Sequence, residues 1–369
     1  MGEWEGAMED MGPINPDPAF WSSKAVFITG HTGFKGGWLA SLLSSLGANV
    51  HGYALAPETG PSFYELTHLS RGISSSCIAD IRDLDKLESA LAEANPEVIF
   101  HLAAQPLVRR SYRDPIQTYE TNVLGTVKLL QAARACARLR AIVVVTTDKC
   151  YENHGWPWGY RETDSLGGHD PYSNSKACQE LVVGAFRASY FQELKISVAT
   201  ARAGNVIGGG DWSEDRLVPD AIRAHLNQST LKIRSPKALR PWQHVLEPVS
   251  AYLLLAERLY FSSEFATSWN FGPAERDVVS VERVLEMLSA NLQGGFSWET
   301  EKPSQLLHEA DVLKLDCSKA RTFLGWEPRW GLESAVVRTC EWYSRVSSGE
   351  DAVQVTGSQF KDFLSGSFQ

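Results

Sequence analysis

Residues 25–55 read AVFITGHTGFKGGWLASLLSSLGANVHGYAL. Ala25–Thr29 is a short, unbroken apolar run, the pattern of a strand buried on both faces of a parallel sheet. Gly30, Gly33 and Gly36 follow at three-residue spacing, and Trp38, Leu39, Leu42, Leu43 and Leu46 then recur at helical spacing up to Gly47. Asn49–Leu55 reads as a second strand. In a strand–turn–helix of this kind Gly30 permits the tight turn and Gly33 lets backbone approach a pyrophosphate. Gly36 allows close helix–strand packing, and the helix N-terminus faces the phosphates. The stretch therefore reads as a dinucleotide site, with Thr32, Phe34 and Lys35 completing its wall.

The acid that ordinarily holds an adenosine ribose at the end of strand two is missing, because His51-Gly52-Tyr53-Ala54-Leu55 stands there. No arginine stands there to take a 2′-phosphate. NAD is expected rather than NADP, held less firmly than where an acid is present.

The strand–helix rhythm continues outward. Ser76–Ala79 reads as a third strand ending in Asp80-Ile81, a pair placed to hold an adenine edge, and Leu84–Ala94 as a helix. Glu97–Ala104 reads as the fourth strand, whose small Ala103 and Ala104, followed by Gln105, let a cofactor lie against backbone. Pro115–Ala137 is a long amphipathic helix carrying Asn122. Ala141–Val145 is a fifth strand, Tyr172–Phe191 a helix and Lys195–Ala201 a sixth strand. The fold class is α/β, a Rossmann-like doubly wound parallel sheet with a smaller C-terminal lobe. Residues 1–19 are expected to form a flexible acidic tail and 20–204 the dinucleotide domain. Residues 205–369 form the second lobe, with part of 244–273 returning to the first. In that lobe Arg216–Asn227 and Ser280–Asn291 read as helices, Trp269–Pro273 as a short strand and turn, and Leu332–Arg345 as the last helix.

The fifth strand ends abruptly in Thr147, Asp148 and Lys149, so proton-handling groups stand where open α/β sheets place their ligands. Tyr172 and Lys176 follow at i and i+4, which puts phenol and ammonium on one helix face. A neighbouring ammonium favours a phenolate and brings the phenol from about 10 toward use as a base. Tyr-x-x-x-Lys also arises on helices by chance, and the strand end beside it is what gives it weight.

Composition narrows the class. The 369 residues are 43% hydrophobic and 21% charged, ordinary for a soluble enzyme. A net charge of −9 and the absence of basic runs exclude a nucleic-acid surface. No apolar stretch reaches the roughly 18 residues of a membrane span, and the acidic first residues are no signal peptide. The six cysteines are scattered without metal-ligand spacing, so reduced thiols, a cytoplasmic location and no metal are expected, with Cys150 as a packing residue.

The glycine turn, Thr147 and Tyr172-x-x-x-Lys176 together resemble the extended short-chain dehydrogenase/reductase family, the NAD-dependent epimerases and dehydratases. Within it, GHTGFKGGWL, HLAAQPLVRRSY, TTDKCYEN, DPYSNSKA, AGNVIGGGDW and RPWQHVLEP are similar to the branch of sugar-nucleotide 4,6-dehydratases acting on CDP-glucose. The likeness runs from about Asp17 to about Arg345. It implies a lobe that binds a sugar nucleotide, with catalysis by Thr147, Asp148, Lys149, Tyr172 and Lys176. Tyr172 takes the O4 proton, Thr147 bonds that oxygen, and Lys176 holds the nicotinamide ribose. Asp148 and Lys149 supply the acid and base that remove water across C5 and C6 before C6 is reduced. The implied outcome is a 4-keto-6-deoxysugar nucleotide. The dTDP-glucose relatives carry Asp-Glu at these two positions, so Lys149 departs from that branch and agrees with the CDP branch.

For the nucleotide, Asn205, Arg240, Trp242 and His244 are the pocket candidates, followed by Arg109, Arg110 and Arg202. The resemblance also implies a homodimer or homotetramer built on the helices 115–137 and 172–191. Three other readings stay open here: a UDP-sugar 4-epimerase, a dTDP- or UDP-linked 4,6-dehydratase, and a catalytically silent nucleotide-binding scaffold.

Overall fold

Along β1 (Ala25–Thr29) successive side chains point to opposite faces of the sheet, and both faces are apolar. Val26 and Ile28 join one hydrophobic cluster, Phe27 the other. β5 (Ala141–Val145) divides in the same way, Val143 and Val145 against Ile142 and Val144. Strands of this kind need helices over both faces. The helices Phe34–Ser45 and Leu246–Phe261 cover one face; Leu84–Ala94, Gly125–Ala133 and Pro171–Phe186 cover the other.

The computed structural model describes residues 14–301 and 313–366. The remaining strands of its seven-stranded sheet are β2 (Asn49–Ala54), β3 (Ser75–Ile78), β4 (Val98–His101), β6 (Ser197–Ala203) and Ser268–Phe271. Their order is Ser268–Phe271, β6, β5, β4, β1, β2, β3, with every pairing parallel. The winding reverses between β1 and β4, which opens a crevice at their carboxyl ends. Among the described residues no helix is long and apolar enough to cross a membrane.

Several elements differ from their sequence reading. β4 stops at His101, since the Thr29 side chain, not a neighbouring strand, receives the Ala103 N–H. The long helix after Asp114 comes in three pieces, with a π-helical turn at Glu120–Leu124 that carries Asn122. Such insertions are frequent at functional sites. The short strand read at 269–273 runs Ser268–Phe271 and extends the main sheet beside β6, pairing Ser268 with Thr200. The helix Leu246–Phe261, buried nearly all round, packs under β5 and β6 as a core helix should. Leu332–Ser347 is followed by another helix, Ala352–Ser365. Its apolar Ala352, Val355, Phe360 and Phe363 share a face that intervening Thr, Ser, Gln and Gly disguise in the sequence.

The expected tail is corrected in part. Residues 1–13 lie outside the described residues, whereas 14–19 are held in place. Ile14 O accepts from Arg329 Nη2 at 2.9 Å, and Asn15 Nδ2 donates to Leu364 O at 2.9 Å. Asp17 caps the short helix Pro18–Trp21, while its N–H donates to Glu257 Oε1. The proline that read as a tail residue occupies the first helical turn, where its missing N–H costs nothing.

Trp38, from the helix after the glycine turn, joins the sheet to the C-terminal lobe. Its Nε1 donates to Gly209 O at 3.0 Å, and its ring stacks on Phe63, which stacks in turn on Trp342. A Cβ on Gly209 would lie 2.0 Å from Trp342 Cγ, so this seam admits only glycine. Gly209→Ala should therefore destabilise the protein by about 1–3 kcal/mol or more, the scale of overpacking a tight contact. A lowered urea midpoint at unchanged slope is the expected reading, and an unchanged midpoint would refute it.

Candidate active site

The carboxyl edge of the sheet opens into a cleft of about 1030 Å3. One wall is the glycine turn. Gly30 has φ +82°, and its N–H donates to Tyr53 O at 2.9 Å. A Cβ there would meet Ala103 N at 2.7 Å, and one on Gly36 would meet Gly30 O at 2.1 Å. Backbone thus packs on backbone, and only glycine fits. Gly33 caps the helix Phe34–Ser45 without any side-chain cap and is exposed at the cleft. The first-turn N–H groups therefore face the cleft with the positive end of the helix dipole, as a pyrophosphate requires. Thr32 Oγ1 donates to Leu55 O at 2.8 Å, at the strand end where no acid stands.

The other expected cofactor residues divide. Ala103, Ala104, Gln105, Asp80 and Ile81 line the cleft with Thr32, Phe34 and Lys35. Asp80 is already engaged, because Arg82 bonds both its oxygens, and that bond holds the carboxyl below its usual range. Asn122 is wholly buried and lies outside the cleft lining. It grips Gln105 by both backbone groups and donates to Ser175 Oγ, so it shapes the loop after β4.

The catalytic candidates converge. Thr147, Asp148, Lys149, Tyr172 and Lys176 all line the cleft. Thr147 Oγ1 donates to Asp148 Oδ1 at 3.0 Å, and Lys149 Nζ lies 3.5 Å from the same oxygen. Asp148 is 1% exposed, and its Oδ2 has no hydrogen-bond partner among the described residues. That oxygen is accommodated because residue 204 is glycine, where a Cβ would lie 3.0 Å away. Asp170 caps the helix Pro171–Phe186 through Ser173 N–H, which sets Tyr172 in the first turn.

The Tyr172–Lys176 pair is corrected in one respect. Burial pushes the phenol up to about 12, against the hydrogen bond to Thr147. Burial also brings the Lys176 ammonium down to about 8, and that group donates to Gln179 Oε1 at 2.9 Å and Val145 O at 3.3 Å. Desolvation is the largest influence on the phenol, and the groups that lower it are Thr147 and Arg216.

Among the nucleotide candidates, Asn205, Arg240, Trp242, Arg109 and Arg110 line the cleft. Arg202 and His244 do not, and both assignments are corrected. Arg202, 2% exposed, is bound to Glu180 through Nε at 3.0 Å and Nη2 at 2.8 Å. His244 is fully buried, edge-on to Trp38 and Trp330, and burial holds its imidazole neutral. In sequence each looked like a polar residue beside a loop; in the fold each points inward.

Four cleft arginines, Arg82, Arg113, Arg216 and Arg234, are not among the sequence candidates, whereas Lys35 is. Arg216 and Arg234 stand on the C-terminal side. Lys35 reaches from the glycine turn to Tyr252 Oη at 3.3 Å, and desolvation with the nearby Arg216 and Lys176 lowers its ammonium to about 7.

A parallel sheet with a glycine cradle on one wall and Thr147, Tyr172 and Lys176 facing it defines an extended short-chain dehydrogenase/reductase. Residues 27–339 match the family described as GDP-mannose 4,6 dehydratase. The chain is 48% identical over 355 residues to CDP-glucose 4,6-dehydratase of Salmonella typhimurium, covering 95% of this chain and 98% of that one. It is 27% identical to dTDP-glucose 4,6-dehydratase of Xanthomonas campestris over 86% of this chain and 92% of that one. Among solved structures, MoeE5 in complex with UDP-glucose and NAD superimposes with a TM-score of 0.74 at 26% identity, over 88% of this chain and 99% of that one. The UDP-glucose 4-epimerase of Thermotoga maritima, at 22% identity, TM-score 0.74 and the same coverages, shares the fold. The chain belongs to the GDP-mannose 4,6 dehydratase family of sugar-nucleotide dehydratases.

Arg202→Met would leave Glu180 charged and unpaired in the interior. A loss of about 3–5 kcal/mol of stability is expected, read from urea unfolding. Replacing both members, Arg202→Met with Glu180→Gln, should recover part of it. A single variant as stable as the parent would show that the pair is dispensable.

Proposed function

We propose that the protein is a CDP-D-glucose 4,6-dehydratase, forming CDP-4-dehydro-6-deoxy-D-glucose and water as a step of deoxysugar synthesis. The observation that carries this reading is the placement of Asp148 and Lys149 beside Thr147 and Tyr172 in one cleft with the glycine cradle. The 48% identity to a CDP-glucose enzyme supports the choice of nucleotide. The uncapped first turn at Gly33, open to the cleft, fits the pyrophosphate of NAD. NAD, when bound, supplies the acceptor for hydrogen leaving C4 and the donor that later reduces C6.

The protein's own groups do the rest. Tyr172 takes the O4 proton while Thr147 Oγ1 hydrogen-bonds that oxygen. Burial keeps the phenol protonated near neutrality. Positive charge must therefore reach it, and Lys176, one turn away, supplies this once its ammonium turns from Gln179 toward the cleft. The ketone at C4 acidifies the C5 proton, which one member of the Asp148–Lys149 pair removes. The electron pair forms the C5–C6 double bond as the C6–O bond breaks, the other member of the pair protonates the departing hydroxyl, and C5 regains a proton when C6 is reduced. The buried Asp148 Oδ2, without a hydrogen-bond partner among the described residues, supports a proton-handling role for this carboxyl.

The protein is proposed to work in the cytoplasm as at least a homodimer. Its six cysteines are unpaired. Ile116, Leu124 and Leu181, on the helices 115–133 and 171–186, are 73%, 52% and 64% exposed, the kind of apolar surface a partner copy covers.

Incubation with NAD and CDP-, dTDP- or UDP-glucose should give a 4-keto-6-deoxy product fastest from CDP-glucose. Equal or faster turnover of either rival would overturn the assignment. Asp148→Asn and Lys149→Met should each cut product formation by about 100- to 10,000-fold, as loss of a general acid or base does. The absorbance of reduced cofactor should appear and persist in both, because C4 oxidation precedes their step. Tyr172→Phe should show neither signal. Normal turnover in both strand-end variants would make the pair structural and favour an epimerase.

A further inference from the structure

Asp215 stands at the mouth of the cleft with φ +56°, in the left-handed region that side chains rarely adopt. The loop beneath it is firmly built. Asp211 is buried and accepts from Ser213 N–H and Oγ and from Arg216 Nη1, while Tyr343 Oη donates to its backbone oxygen at 2.6 Å. Arg223 bonds the carbonyls of Trp212 and Ser213. The strained tip is therefore held outward, and its carboxylate meets two arginines from opposite walls. Arg109, from the helix Val108–Arg113, and Arg234, just beyond the strand Leu231–Ile233, both reach Asp215 Oδ1 at 3.4 Å.

Both contacts are long and share one oxygen, and both guanidiniums are about one-third exposed. A guanidinium fork binds phosphate through two parallel hydrogen bonds, and a diphosphate carries more charge than one carboxylate. The cleft around them holds more cations than acids, although the chain as a whole carries −9. That imbalance points to an anionic ligand.

We propose that Asp215 is an internal competitor for the substrate's diphosphate. Its carboxylate holds Arg109 and Arg234 and gives them up when the nucleotide enters. The inference rests on reading the ligand as a nucleoside diphosphate sugar, but not on which base it carries. It assigns Asp215 a part in specificity, since a neutral nucleoside cannot displace the carboxylate whereas a diphosphate can.

The test is calorimetric titration of the full-length protein with CDP, UDP, inorganic pyrophosphate and cytidine. Asp215→Asn keeps the size of the side chain and removes its charge. It should bind CDP, UDP and pyrophosphate about three- to tenfold more tightly than the parent, the scale of two half-exposed ion pairs. Cytidine affinity should not change, which separates charge competition from a general loosening of the loop. Arg109→Gln and Arg234→Gln should each weaken the three diphosphates about tenfold and leave cytidine alone. If Asp215→Asn binds diphosphates no more tightly than the parent, the competitor role is wrong. If it tightens pyrophosphate while CDP-glucose is not turned over, Asp215 keeps its role and the proposed substrate fails.

Discussion

Glu180 and Arg202 form an ion pair shut away from water, with side chains 2% and 3% exposed. Removing two charges from water costs several kcal/mol for each ion, and such a pair persists only where the remaining donors and acceptors are satisfied. Here they are. The Glu180 carboxylate accepts from Thr146, Thr200 and Ser268 as well as from Arg202. Arg202 gives its remaining nitrogen to Tyr151 Oη and Glu162 O. These bonds fasten the helix Pro171–Phe186 to β5, to β6, to the strand Ser268–Phe271 and to the loop after β5. Tyr172 and Lys176 ride on that helix, and Thr147, Asp148 and Lys149 leave the end of β5. The relative position of the two halves of the site thus depends on one desolvated pair that never touches the cleft.

The same scarcity of water tunes the site. Desolvation is the largest influence on Tyr172, Lys176 and Lys35, raising the phenol and lowering both amines. Burial thus moves all three groups toward their neutral forms, although an ammonium at about 8 is still mostly protonated at neutrality.

The sheet was legible because each strand buried on two faces leaves an unbroken apolar run, as in Ala25–Thr29 and Ala141–Val145. The glycine turn was legible because backbone contact at Gly30 and Gly36 tolerates no other residue. Elements with mixed surroundings were harder. The helix Ala352–Ser365 hides its apolar face among Thr, Ser, Gln and Gly. Of the candidate site, the strand-end trio and the Tyr172–Lys176 pair could be read from position and spacing. Arg202 and His244 could not, since a polar residue near a loop carries no mark of which way it will point. Gly204 matters through what lies opposite it in space, the Asp148 carboxyl, and that no local pattern records.

Asn15 and Leu364 are hydrogen-bonded although 349 positions separate them, and Arg329 clasps both the Ile14 and the Phe363 carbonyls. The first described residues and the last helix therefore cover the same patch of core, and neither can peel away without exposing the other. Fraying from one end becomes a shared event, which raises the cooperativity of unfolding well beyond that of two free ends.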